Sequence, residues 1–193
     1  MFKKILSLAL AAVLAVSVLA SCGGSKEPVA ADVPIDQLAQ TIRDTYGEEY
    51  VCNMPIPAEM LEETYGIKAD WVSEFVAEMP MIGFHVDFLI IVKPTEGNAE
   101  NVKNALADYA KFYLDGAANY PANAEKAQSI TQYSEGGYEF LFILGQIPME
   151  LEEEMYNAGK SQEEISAAKL EKAKENNQKA IDAVNALFFP EGK

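Results

Sequence analysis

The chain has 193 residues, 49% of them hydrophobic and 23% charged, a balance that suits a folded domain with its own core. It carries 15 basic against 30 acidic residues, a net charge of −15, and Arg43 is its one arginine. Nucleic-acid phosphates and anionic lipid headgroups would both be repelled, so no nucleic-acid partner is expected, and any membrane attachment has to be covalent or spanning.

The chain opens with Met1-Phe2-Lys3-Lys4, a short basic stretch, followed by residues 5–19, apolar except for Ser7 and Ser17. That run has the length and flanks of a signal-peptide core and falls short of the ~20 apolar residues of a spanning helix. It closes on Leu19-Ala20-Ser21-Cys22: an aliphatic residue, two small ones, then cysteine. The order resembles the lipobox of bacterial lipoproteins. The resemblance implies export, transfer of diacylglycerol to the Cys22 thiol through a thioether, and cleavage between Ser21 and Cys22 that removes residues 1–21 as a lipoprotein signal peptide. The chemistry suits the residues, since small side chains admit the backbone to a protease and sulfur is the strongest nucleophile available. Each buried methylene contributes about 0.8 kcal/mol, so two palmitate-length chains suffice as a membrane anchor. Residues 22–34, beginning Cys22-Gly23-Gly24-Ser25, lack periodicity and read as a flexible tether. With Cys22 acylated, Cys52 is the remaining thiol and no intramolecular disulfide is expected.

Along the rest of the chain, Ile35, Leu38, Ala39, Ile42 and Tyr46 form the i, i+3, i+4, i+7 stripe of a short amphipathic helix ended by Gly47. Cys52-Asn53-Met54-Pro55-Ile56-Pro57 must be extended, because each proline pushes its predecessor out of the helical region. Pro57 opens a second helix that stops at Gly66. Asp70 caps a third, with Val72, Phe75, Val76 and Met79 on one face and Pro80 ending it. Residues 84–93 read as a strand, with Phe84, Val86, Phe88, Ile90 and Val92 on one face and His85, Asp87, Leu89, Ile91 and Lys93 on the other.

Asn98 then caps a helix running to Gly116, with Val102, Leu106, Tyr109, Ala110, Tyr113 and Leu114 inward. Residues 128–133 form a weaker strand, Glu135-Gly136-Gly137 signals a hairpin, and residues 138–144 form a strong strand with Tyr138, Phe140, Phe142 and Leu144 on one face. Pro148 opens an acidic helix ending at Gly159. Ser161 and Glu164 make a capping box for a long final helix, buried along Ile165, Ala168, Ala173, Ala180, Ile181, Val184 and Leu187. There is no internal repeat. The expected fold is α+β: a small mixed three-stranded sheet (β-α-β-β, with a parallel crossover) packed with short N-terminal helices and a long C-terminal helix. The domain spans 35–146, and 147–193 add the acidic and final helices that pack on it or extend it.

A second resemblance is carried by Glu49-Tyr50, Asn53-Met54-Pro55-Ile56-Pro57, Leu61, Tyr65-Gly66-Ile67, Glu78-Met79-Pro80-Met81, Val86-Asp87, Val92-Lys93, Gly97, Val102 and Leu106. Over roughly residues 36–145 the chain resembles a domain-of-unknown-function family of small Gram-positive lipoproteins. The resemblance implies an exported, uncharacterised domain and brings no catalytic residues with it.

Several constellations bear on chemistry. His85 and Asp87 share a strand face and suit an acid/base pair or metal support, but no G-x-S-x-G, S-x-x-K or H-E-x-x-H motif accompanies them. Cys52, Met54, Met79, Met81 and His85 are a candidate soft-metal set for Cu(I), set against the ordinary use of methionine as core filler. Tyr46, Tyr50, Tyr65 and Trp71 are candidates to line a ligand groove, or else to seal the helical layer on the sheet. Glu150 to Glu154 lack the alternating ligands and glycine of a calcium loop and read as a solvated helix face. No cofactor is expected. The functional expectation is a non-enzymatic binding or accessory module, lipid-anchored outside the cytoplasm, that engages an unknown solute or protein. Copper handling and an envelope hydrolase are the alternatives.

Overall fold

The computed structural model describes residues 31–83, 85–117 and 123–190. The signal sequence, Ser21, Cys22 and Phe84 lie outside them. Helix α1 (Ile35–Tyr46) buries the five residues of its predicted stripe. Strand β1 (Met54–Pro55) and helix α2 (Met60–Tyr65) follow, with Gly66 ending α2 at φ 67°, where its N–H and that of Ile67 return to Glu62 O and Leu61 O. Strands β2 (Val72–Met79) and β3 (Phe88–Pro94) lead to helix α3 (Ala99–Ala117) and the short α4 (Ala124–Ala127). A hairpin of β4 (Thr131–Glu135) and β5 (Tyr138–Ile143), then α5 (Met149–Asn157) and α6 (Gln162–Phe188), complete the chain.

The α+β class and the long C-terminal helix are as expected. The sheet, however, has five strands rather than three, in the order β1-β2-β3-β5-β4, and every pairing is antiparallel. The connection from β3 through α3 does leave β3 and β4 running in the same direction, but β5 inserts between them, so the expected parallel crossover makes no ladder. The predicted third helix is instead β2. Its sequence VSEFVAEM satisfies a helical stripe, yet it also alternates: Phe75, Ala77 and Met79 face one layer while Val76 and Glu78 face the other. Pairing with β3, from Val72↔Pro94 to Glu78↔Leu89, decides between the two.

Helices cover both faces of the sheet. On one side α1 and α6 pack on Leu89, Ile91, Tyr138, Phe140, Phe142 and Leu144. On the other, α2 and α3 pack on Ala77, Phe88, Ile90, Val92, Leu141 and Ile143. This two-sided burial explains why β3 reads FLIIV without alternation. The β4–β5 turn uses Gly136 at φ 58° and Gly137 at φ 83°, the left-handed pair that a two-residue hairpin requires.

Helix α6, 27 residues and roughly 40 Å long, begins with the predicted Ser161–Glu164 capping box. Its buried face departs from the expected apolar stripe by including Asn176, Asn177 and Phe188. The Asn176 carbonyl accepts from Tyr46 Oη at 2.6 Å and its Nδ2 donates to Gln146 O at 2.8 Å. Asn177 Oδ1 accepts from Leu144 N at 2.9 Å, and its Nδ2 donates to Ser129 O at 2.6 Å and Thr131 Oγ1 at 3.0 Å. The chain docks earlier than the predicted tether end: Ala31 N donates to Phe188 O at 2.9 Å, Val33 is buried, and Tyr138 Oη donates to Val33 O at 2.7 Å. No helix of the described residues is long and apolar enough to cross a membrane.

Candidate functional site

The residues singled out as an acid/base pair lie where the chain enters β3. Asp87 is only 3% exposed, and both its carboxylate oxygens accept from Lys126 Nζ, at 2.8 and 2.7 Å. Lys126 sits on α4 and is itself buried. Its carbonyl accepts from Ser129 Oγ at 2.7 Å, and Ser129 is in turn held by Asn177 of α6. Burial pushes the Asp87 carboxyl above its ordinary range, and Lys126 draws it part of the way back. His85 Nδ1 lies 4.0 Å from Asp87 Oδ2, with the imidazole partly open to solvent.

These groups form one wall of a cleft of about 290 Å³. Gln146, Pro148, Met149 and Glu152 supply the wall from the β5–α5 connection and α5, and Lys169 supplies it from α6. Lys169 Nζ lies 3.1 Å from Glu152 Oε2 and 3.8 Å from Glu125 Oε2, and Ser166 Oγ donates to Glu125 Oε1 at 2.7 Å. The cleft thus presents two ion-pair systems, an imidazole and the amide residues Asn123 and Gln146 around an opening. No serine, threonine or cysteine is among its described lining residues, so no side-chain nucleophile of those types faces His85 there.

The soft-metal candidates are distributed differently. Met54 and Met79 are register partners across β1 and β2, and Met54 is partly exposed. Cys52 is 1% exposed in the core beneath α1 and α6, whereas Met79 packs toward α2 and α3. Burial, with the negative charges of Asp87 and Glu78 adding to it, pushes the Cys52 thiol well above its ordinary range. Met81 is exposed beyond the end of β2, and His85 belongs to the cleft. Among the described residues no three of histidine, cysteine, aspartate and glutamate converge as a metal-holding group.

The sheet also divides the four candidate groove aromatics. Tyr46 and Tyr50 lie on the α1/α6 side, where Tyr46 bonds Asn176 and Tyr50 donates to Glu78, the carboxylate paired with Arg43. Burial raises the pKa of both hydroxyls. Tyr65 and Trp71 lie on the α2/α3 side and do line a groove, of about 400 Å³, with Tyr109 and Phe112 of α3. Tyr65 and Tyr109 meet edge to face with centroids 4.6 Å apart. Asn101, Asn104 and Asp108 border the same groove.

No local pattern points to Lys126, because α4 is a single turn with no periodicity, or to Lys169, one of many charges on α6. A signal for the groove was present: Asn101, Asp108 and Phe112, at i, i+7 and i+11, fall on one face of α3.

Neither a curated protein nor a solved structure matches the chain. One family profile does, over residues 46–144. The match takes in all five strands, α2 to α4, His85, Asp87 and Lys126, and leaves α5, α6 and all of α1 but Tyr46 outside. It spans about half of the sequence, and on it the chain belongs to the domain-of-unknown-function family DUF4358.

Proposed function

We propose that the protein is an exported lipoprotein of the small Gram-positive type, held at the outer face of the cell membrane by diacylglycerol on Cys22. Its domain works there as a non-enzymatic binding or accessory module of the cell envelope. The anchor rests on the succession of basic start, apolar run, Leu19-Ala20-Ser21 and cysteine. The binding role rests on one observation, the buried Asp87–Lys126 pair set in the wall of an open cleft. A buried ion pair carries a desolvation cost that apolar residues of the same volume would avoid, so stability alone does not account for it. With Lys169, Glu152, Gln146 and His85 around it, the pair suits a small solute that carries both charge signs or several hydrogen-bonding groups.

Intact mass of the native protein from membranes tests the anchor: a diacylglyceryl Cys22 at the mature N-terminus is expected, and Cys22→Ser should release the protein. An unmodified thiol or a retained leader defeats it. Thermal-shift titration of the purified chain with amino acids and dipeptides tests the cleft. A saturable rise in midpoint that Lys169→Ala removes is expected. Hydrolysis of a model ester or peptide that disappears in His85→Ala would replace the binding role with an enzymatic one.

The cross-strand pair Met54 and Met79 favours one second reading, Cu(I) held by thioethers. Native mass spectrometry after copper exposure under reducing conditions decides it, since absence of stoichiometric copper removes that reading.

A further inference from the structure

The groove between α2, the turn before β2 and α3 lies across the sheet from α1 and α6 and is built entirely from residues of the family match. Its composition is unusual for an unused surface. Phe112 is 72% exposed beside it, although a phenyl ring left in water forgoes its burial free energy. Trp71 forms part of the opposite wall, with Lys68 Nζ 5.2 Å from its ring centroid. Tyr65 and Tyr109, packed edge to face, add further aromatic surface. Along the α3 border stand Asn104 and Asp108, exposed side chains that no other described side chain engages with a hydrogen bond. Aromatic surface and planar polar groups therefore meet on one rigid helix, in a space within the ~300–1,000 Å³ usual for small-molecule sites.

A sugar ring matches this set. One face of a pyranose is a patch of C–H bonds that rests on an aromatic ring, whose π-face is electron-rich. Its edge is a row of hydroxyls. A carboxylate accepts from two neighbouring hydroxyls, and an amide both donates and accepts. The net charge of −15, with Asp108 in the groove itself, disfavours uronic, sialic or phosphorylated sugars. We propose that the α2–α3 groove is a binding site for a neutral saccharide, with Phe112 as stacking platform and Asp108 and Asn104 as hydroxyl ligands. The site is separate from the cleft of His85 and Asp87 and does not depend on the anchor.

Trp71 is the one tryptophan of the chain, so its emission reports on this groove alone. The purified full chain is titrated with N-acetylglucosamine oligomers, cello-oligosaccharides and malto-oligosaccharides, followed by tryptophan fluorescence. At least one series should give a saturable change at millimolar concentration or below. Phe112→Ala and Asp108→Ala, both at exposed positions, should each weaken it about tenfold with the thermal midpoint unchanged. Lys169→Ala in the cleft should leave it intact. Absence of a saturable change in every series overturns the site, as does a change of equal size in the two groove variants. A dimer abolished by Phe112→Ala, with no response to sugar, assigns the groove to a second copy and also overturns it.

Discussion

Replacing Lys126 by methionine isolates what the buried ion pair costs and what it gives. Without the ammonium, the Asp87 carboxylate is left 3% exposed, with the partly exposed His85 imidazole 4.0 Å away. It escapes by taking up a proton. The ordinary carboxyl value is 3.8, and a pKa unit corresponds to about 1.36 kcal/mol. Protonating it in the folded state therefore costs at most about 4 kcal/mol at pH 7 and about 1.6 kcal/mol at pH 5. The sign follows from linkage. Burial already holds this carboxyl above its ordinary value, and loss of Lys126 raises it further. The folded state then binds a proton that the unfolded chain lacks, and stability falls as pH rises from 3.8 through the raised value. At pH 7 the loss corresponds to a fall of about 8–16 °C in thermal midpoint for a domain of this size. The double variant Asp87→Leu with Lys126→Met removes both charges and should return to within about 1 kcal/mol of the parent. Urea denaturation of the three proteins at pH 5 and pH 7 supplies the comparison. A Lys126→Met penalty equal at the two pH values, or a double variant as unstable as the single one, refutes the electrostatic account.

Three further outcomes concern the scaffold of the domain. Asn177→Ala leaves the buried Leu144 N–H without its partner and the Ser129 C=O with Thr131 Oγ1 alone, and should cost about 1–3 kcal/mol in chemical denaturation; a loss below about 0.5 kcal/mol would mean that the Leu144 N–H does not depend on Asn177. Gly136→Ala places a Cβ 2.1 Å from Phe188 Cε1 at φ 58° and should lower the midpoint well beyond Gly137→Ala, where nothing lies within 4 Å; equal effects would contradict the contact. Glu139 is buried in β5, its carboxyl pushed up by burial and partly offset by a hydrogen bond from Ser134. Its ionised form therefore weighs against folding above its raised value, so Glu139→Gln should stabilise at pH 7 and lose that gain as pH falls through the raised value toward 4.5; a gain that grows toward acid would reverse the assignment.

Much of the scaffold was legible because local rules and tertiary packing agree. The stripe of α1, the Ser161–Glu164 box and the Gly136-Gly137 turn each need only near neighbours to form. Residues 72–79 were not legible, because Val72, Phe75, Val76 and Met79 satisfy the helical period while alternate residues satisfy the strand period, and pairing with β3 tips the balance. The cleft was half legible. His85 and Asp87 stand out in sequence, but the ammonium that neutralises Asp87 lies 39 residues away on a helix of one turn. Asn176 and Asn177 fall between Ala173 and Ala180, outside the expected apolar stripe. Their burial is intelligible only once Tyr46, Gln146, Leu144 and Ser129 are placed around them.

The way the two ends of the domain meet has a directional consequence. Ala31 joins the backbone at Phe188, beside the β4–β5 turn, whereas the register Phe88↔Ile143 puts the start of β3 at the far end of the sheet. Along α6, Lys169 stands 19 residues from Phe188, roughly 28 Å of helix. Were the chain anchored at Cys22 as proposed, the attachment would meet the described fold at Ala31, at the end opposite His85 and Asp87. The molecule would stand on its hairpin, with the mouth of the charged cleft turned away from the lipid and toward whatever diffuses in from outside.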